Sequence, residues 1–328
     1  MYTKLPSTIL EKFLYLSSTE TSQQFLFLAY EQQKIPDSKK KSYHNCTAFN
    51  SYIEQGITFL DQAGKSPLNI QPILLFYGLV FLIKACILTV DPSYPESSSV
   101  LAHGVSTRKR KKQNYLYLQD EVKIQKNGLF PHLSDKMFHM KHLEGIKLKI
   151  EALLKEIPEL LSFFQKWNAE KYGIKIEKIG DHYCISEEVL DYFNMTKERL
   201  KHFLHTKSNI DLNFTEINSL LAFSLKDEKS GRKEILPFRF HILEQTYYLI
   251  KNSKDISFFP ELSIHYLLLY HLSMLARYEA EWWTELIHHK PSIEYPLIVC
   301  YINITFQKIP FLISELIFRH HPLEEMDL

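Results

Sequence analysis

A chain of 328 residues, 45% apolar and 23% charged, has the composition of a globular protein with a substantial core, which excludes a disordered or low-complexity class. Its 9 glycines, set against 22 Phe and 19 Tyr, form neither a Walker A loop nor a dinucleotide fingerprint, which disfavours nucleotide binding by either loop. The net charge of +1 hides an asymmetry: residues 1–150 carry 19 Lys/Arg against 12 Asp/Glu, and 151–328 carry 20 against 26. Residues 101–150 alone hold 11 against 4, so the positive excess is one local patch, not the general basicity of a nucleic-acid protein.

In chain order, residues 7–30 and 46–63 read as amphipathic helices on either side of a polar, lysine-rich stretch at 31–45. Glu11 and Lys12 fall where an export signal needs its apolar run, and Cys46, Cys86, Cys184 and Cys300 are too scattered for a disulfide frame or a zinc site. A cytoplasmic protein is expected. Residues 73–90 then form an apolar run opened by Pro72 and closed by Asp91-Pro92. Its length raises a membrane span, but Lys84 inside it, and no second comparable run, predict a buried core helix and no membrane partner.

Tyr115 and Tyr117, then Val122 and Ile124, suggest two short strands forming a hairpin, with Asn127-Gly128 as a turn signal. Residues 139–167 resume a helical period interrupted at Pro158, 172–185 alternate like strands, and 186–205 read as one helix. Strand character returns over 218–252 around the polar turn 226–234. Helices are predicted at 260–278, 280–289 and 294–319, the last broken near Pro310. The fold class is therefore mainly α-helical with a small β-containing middle segment (α+β). The expected organisation is a helical region 1–168 carrying a basic loop at 103–115, a mixed α/β segment 169–255, and C-terminal helices 256–328 packing on the N-terminal region.

Three features point to an anion. Lys84 has only apolar neighbours on its helix (Val80, Phe81, Ile87, Leu88), so it needs a bound anion, a distant partner or a route to water. The run Arg108-Lys109-Arg110-Lys111-Lys112 builds a positive potential beside the neutral donors His103, Ser106, Thr107 and Tyr115. Tyr266, Tyr270, Ser273 and Arg277 share one side of a helix and offer two phenols, a hydroxyl and a guanidinium fork; the bland alternative for Arg277 is that it satisfies the last carbonyls of the helix or pairs with Glu281. If Arg277 faces Lys84 and His103, the anion reading gains. Arg199-x5-His205 has the spacing used by HEPN-type helical ribonucleases, which chance alone also supplies in a chain with 15 His. Spacings such as His139-x-x-His142, His202-x-x-His205 and Glu285-x-x-His288 lack the further carboxylates of a di-metal bundle, so neither a metal nor a cofactor is expected.

Residues 74–133 (LLFYGLVFLIKACILTVDPSYP, then HGVSTRKRKKQNYLYLQDEVKIQKNGLFPHL) and 267–297 (LLLYHLSMLARYEAEWWTELI, then EYPL) resemble the YaaC-like family of Bacillus and related bacteria. Genes of that family commonly neighbour the gene for IMP dehydrogenase, so the resemblance implies a link to purine nucleotide metabolism and that enzyme as a partner; it brings no catalytic residue set. The function expected is that of a cytoplasmic, non-catalytic binding or regulatory protein. Its ligand would be a nucleotide, a phosphate, a nucleic-acid backbone or an acidic protein surface. A HEPN-type ribonuclease or other RNA-binding protein is the alternative.

Overall fold

The computed structural model describes residues 7–107, 115–225, 233–251 and 256–320, and divides into two compact units. One comprises Met1–Ile150 with Leu262–Leu328; the other is Glu151–Glu261. The chain is mainly helical with two small antiparallel sheets in its middle.

The first unit opens with α1 (Ser7–Tyr15), α2 (Thr19–Gln32), α3 (Ser38–Lys65) and α4 (Gln71–Val90). Ser18 divides the helix expected over 7–30, because its hydroxyl caps the Thr21 amide and starts α2. The lysines at 39–41, expected between helices, lie in the first turn of α3. α3 and α4 meet at a notch: a Cβ on Gly56 would lie 2.5 Å from Leu82 Cγ, and one on Gly78 would lie 3.1 Å from Leu60 Cδ2. Only glycine lets the two backbones come so close. At its far end α4 gives carbonyls to neighbours, since the Tyr30 hydroxyl donates to Leu88 O and the Gln33 amide to Thr89 O.

α10 (Glu261–Tyr278), α11 (Ala280–His289) and α12 (Glu294–Ile317) supply further helices of this unit. Two sequence expectations change here. α12 runs through Pro310 unbroken, because Ile309, Leu312 and Ile313 are buried on both sides of it and outweigh the lost helical hydrogen bond. α12 is also a second helix long and apolar enough to cross a membrane, and most of both it and α4 is buried inside the fold.

The small sheet has the order β1 (Val105–Ser106), β2 (Glu121–Ile124), β3 (Lys147–Lys149). The expected Tyr115–Ile124 hairpin does not form: β2 pairs with β1 and β3, and Tyr117 sits buried in a 3-10 turn. Asn127-Gly128 instead leads into α5 (Leu129–Phe138). The helix expected over 139–167 is shortened to α6 (Ile150–Lys155) and α7 (Leu161–Asn168), after an extended stretch that includes β3.

In the second unit, six antiparallel strands run in the order β6 (Leu212–Ile217), β7 (Leu220–Leu225), β5 (His182–Ile185), β4 (Gly173–Ile179), β9 (Thr246–Ile250), β8 (Phe238–His241). Aromatic rings fill one face, with Phe223 stacked on Tyr183 at 5.3 Å and on Phe238 at 4.8 Å. The single helix expected over 186–205 is two, α8 (Glu187–Phe193) and α9 (Lys197–Lys207), because Asn194 turns left-handed and Thr196 caps a new start. Arg239 and Glu156 form an ion pair at 2.5 Å, each 1% exposed.

Candidate anion site

His103 is placed by its backbone. Gly104 (φ +78°) and Gly128 (φ +133°) hold two turns in contact, and a Cβ on Gly128 would fall 2.3 Å from Gly104 Cα. Across this contact Leu129 N–H donates to Ala102 O and Phe130 N–H to His103 O, while the buried Tyr266 hydroxyl adds a second bond to His103 O at 2.8 Å. The carbonyl is thus fixed from α5 and α10, which leaves the imidazole to project from a rigid base.

Between its two ends α4 is buried except along one stripe, Tyr77, Phe81 and Lys84, spaced i, i+4 and i+7; Ile73, Leu74 and Val90 near the ends are half-buried as well. α3 continues that aromatic face: Phe59 stacks on Phe81 at 5.6 Å and Tyr52 lies 6.3 Å from Phe81. The Lys84 ammonium sits 5.5 Å from the Tyr52 ring centroid and 5.4 Å from that of Phe81. Burial lowers the lysine's pKa, and no carboxylate pairs with it among the described residues.

From α10, Arg277 is oriented by neutral groups only. Its Nε donates to Ser273 O, Nη1 to the Tyr77 hydroxyl at 3.2 Å, and Nη2 to Ser273 Oγ and Met274 Sδ. Of the two bland alternatives, the pair with Glu281 is not formed, while the bond from Nε to Ser273 O does satisfy a carbonyl near the end of the helix. The guanidinium therefore keeps its full charge unanswered.

His103 lies half-buried beside Tyr77, which holds Arg277, while Lys84 sits further along α4 against Tyr52 and Phe81. The His103 ring packs against Phe76 at 5.0 Å, Tyr270 at 5.7 Å and Tyr77 at 6.2 Å, and its pKa is pushed down by burial, then by Arg277, then by Lys84. Among the described residues neither the His103 ring nor the Tyr270 hydroxyl makes a hydrogen bond. The result is a cluster of one oriented guanidinium, an imidazole and two phenols, with Lys84 further along α4 and no carboxylate paired with either cation among the described residues. Such a cluster suits an anion.

The other expected residues divide. Tyr266 is fully buried and supports His103; Ser273 is buried and supports Arg277. Ser106 Oγ accepts from Gln125 Nε2 at 2.5 Å within the small sheet, and Thr107 lies half-buried at its end. Arg108, Arg110, Lys111 and Lys112 lie outside the described residues. The chain on either side of 108–114 is tied to one helix, through Tyr266 to His103 and through His271, which meets Asp120 at 2.8 Å beside Tyr115. Arg199 and His205 are both exposed on α9, where a six-residue separation leaves side chains about 120° apart around the axis. No group of three or more His, Cys, Asp or Glu gathers in metal-binding geometry among the described residues.

Tyr77, Tyr52 and Phe59 escaped the sequence reading, and Phe81 entered it only as an apolar neighbour of Lys84. In an apolar run Tyr77 and Phe81 look like core, and only the Lys84 stripe at i−3 and i−7 could have flagged them.

No curated protein and no solved structure matches this chain. The family model described as YaaC-like protein matches residues 14–317. That span takes in both units, α4, the His103 turn and α10, and the chain belongs to the YaaC-like family.

Proposed function

We propose that this protein is a cytoplasmic, non-catalytic binding or regulatory protein whose Lys84–His103–Arg277 face takes an anionic ligand. The observation that carries this reading is Arg277, held on the Tyr77 hydroxyl beside the His103 ring, with Lys84 further along the same face of α4 and no carboxylate paired with either cation among the described residues. Burying two unanswered cations costs free energy, and a bound anion offsets that cost. The basic run 108–112, in the sequence just after the His103 turn, adds long-range attraction for the same charge. The family's gene neighbourhood makes purine nucleotides the first ligands to try and IMP dehydrogenase the first partner.

The test is equilibrium titration with IMP and with inorganic pyrophosphate at about 50 mM and about 300 mM salt. Saturable binding that weakens with salt, and weakens about tenfold in Arg277→Met or Lys84→Met, is the expected result. No binding of either anion at low salt, or binding indifferent to both variants, contradicts the reading. The ribonuclease alternative is tested on the same preparation: metal-free RNA cleavage that disappears in His205→Ala would replace a binding role with a catalytic one.

A further inference from the structure

Charge and donor geometry narrow the class of anion. Arg277, on Tyr77 beside His103, and Lys84, further along α4, supply positive charge that a dianion answers more fully than a monoanion. The Tyr270 hydroxyl and the His103 imidazole have no hydrogen-bond partner among the described residues, and the Tyr77 hydroxyl, which accepts from Arg277, retains its own proton to donate. These groups come from α4, α10 and the 103 turn. A terminal phosphate presents three oxygens to separate donors, whereas a phosphodiester presents two and a single charge.

The imidazole has a further consequence. Empty, the site sets His103 against three aromatic rings and under the charge of Arg277 and Lys84, surroundings that favour the neutral ring. A dianion cancels the repulsion from Lys84 and Arg277 and gives a ring N–H an acceptor. Among the described residues the rings packed on the imidazole are Phe76 and Tyr77 from α4 and Tyr270 from α10, the charges acting on it are those of Arg277 and Lys84, and Tyr266 and the Phe130 amide bond its backbone carbonyl. None is a carboxylate, so the ligand itself must stabilise the imidazolium.

Building on the anion-site reading above, we infer that the site recognises the terminal phosphate of a phosphomonoester, and that binding takes up a proton on His103. The step is a protonation only: solvent supplies the proton, the imidazole's free nitrogen accepts it, and no covalent bond of the ligand changes.

Titration calorimetry of AMP and of its 3′,5′-cyclic diester, repeated at neutral pH in buffers of different ionisation enthalpy, tests both parts. Sulfate, which carries no proton at neutral pH, locates any proton uptake on the protein. The expected result is binding of AMP at least about tenfold tighter than the diester, with a net proton uptake shared by sulfate. His103→Gln should abolish the uptake and weaken AMP about tenfold, while Tyr270→Phe weakens AMP severalfold and preserves the uptake. Diester binding as tight as AMP overturns the ligand class. Uptake that is absent, or that persists in His103→Gln, overturns the role of His103. If AMP, sulfate and pyrophosphate all fail to bind the folded wild-type protein at low salt, the anion-site reading itself falls.

Discussion

Gly104 and Gly128 touch through their backbones: a Cβ on Gly128 would lie 2.3 Å from both the amide nitrogen and the Cα of Gly104. The contact sets the His103 carbonyl between the Phe130 amide and the Tyr266 hydroxyl. Gly128→Ala adds that clash to a φ of +133°, and should cost about 3 kcal/mol or more in urea unfolding. Gly145, with φ +84° and nothing within 4 Å of a Cβ, is the control for backbone strain alone. Gly145→Ala should cost about 1 kcal/mol.

Tyr77 couples α4 to α10 through its hydroxyl, which accepts from Arg277 Nη1 at 3.2 Å. Tyr77→Phe keeps the ring and removes that acceptor. Stability should fall by no more than about 1 kcal/mol, while anion affinity falls severalfold because the guanidinium loses its orientation. Calorimetry and thermal denaturation of the same variant separate the two effects; equal affinity with lost stability would deny Tyr77 a positioning role.

Asp91 joins the end of α4 to α5. Its Oδ2 meets His132 Nε2 and Lys136 Nζ, each at 3.1 Å, and its Oδ1 accepts from Ser93 N–H. The His132 contact chiefly, with Lys136 and Ser93, holds the carboxyl at about 2 against the opposing effect of burial. A depressed folded-state value means that the stabilisation is complete above the unfolded value near pH 4 and is lost as pH falls through about 2. Asp91→Asn should therefore cost about 2 kcal/mol at neutral pH and almost nothing near pH 2. Urea titrations across that range give the comparison.

In the second unit, Arg239 and Glu156 are each 1% exposed and meet at 2.5 Å. Glu156→Gln or Arg239→Met strands a buried charge, and either should cost about 3–5 kcal/mol. Glu156→Leu combined with Arg239→Met removes both charges and should recover most of that loss. A double variant no more stable than the singles would show that the pair's geometry, not its charge balance, supports the sheet.

Much of this was legible in the residues. The side of α10 bearing Tyr270 and Arg277 follows from helical spacing, and the isolation of Lys84 follows from its apolar neighbours. What periodicity could not reveal is what sets the His103 turn beside Tyr270. Gly104 and Gly128 are 24 positions apart, and their contact depends on two left-handed turns that no local pattern announces. Tyr77 and Phe81 read as core because most of their helix is buried, and periodicity does not show that the aromatic face they share with Tyr52 and Phe59 of α3 is half-open. Pro310 misled in the opposite sense, since a strong local breaker was outweighed by the buried residues around it. The Tyr115–Tyr117 stretch failed as a strand because Asp120 and His271 draw it inward.

The most direct measurement follows the histidine ring resonances by NMR while pyrophosphate is added, with His103 assigned from His103→Gln. The chain has 15 histidines, and His202 and His205 lie exposed on α9 as internal references. The account requires the His103 ring to shift saturably, with that response lost in Lys84→Met/Arg277→Met. A silent His103, with the saturable shift at His202 and His205 instead, would contradict it and move the anion to the other unit.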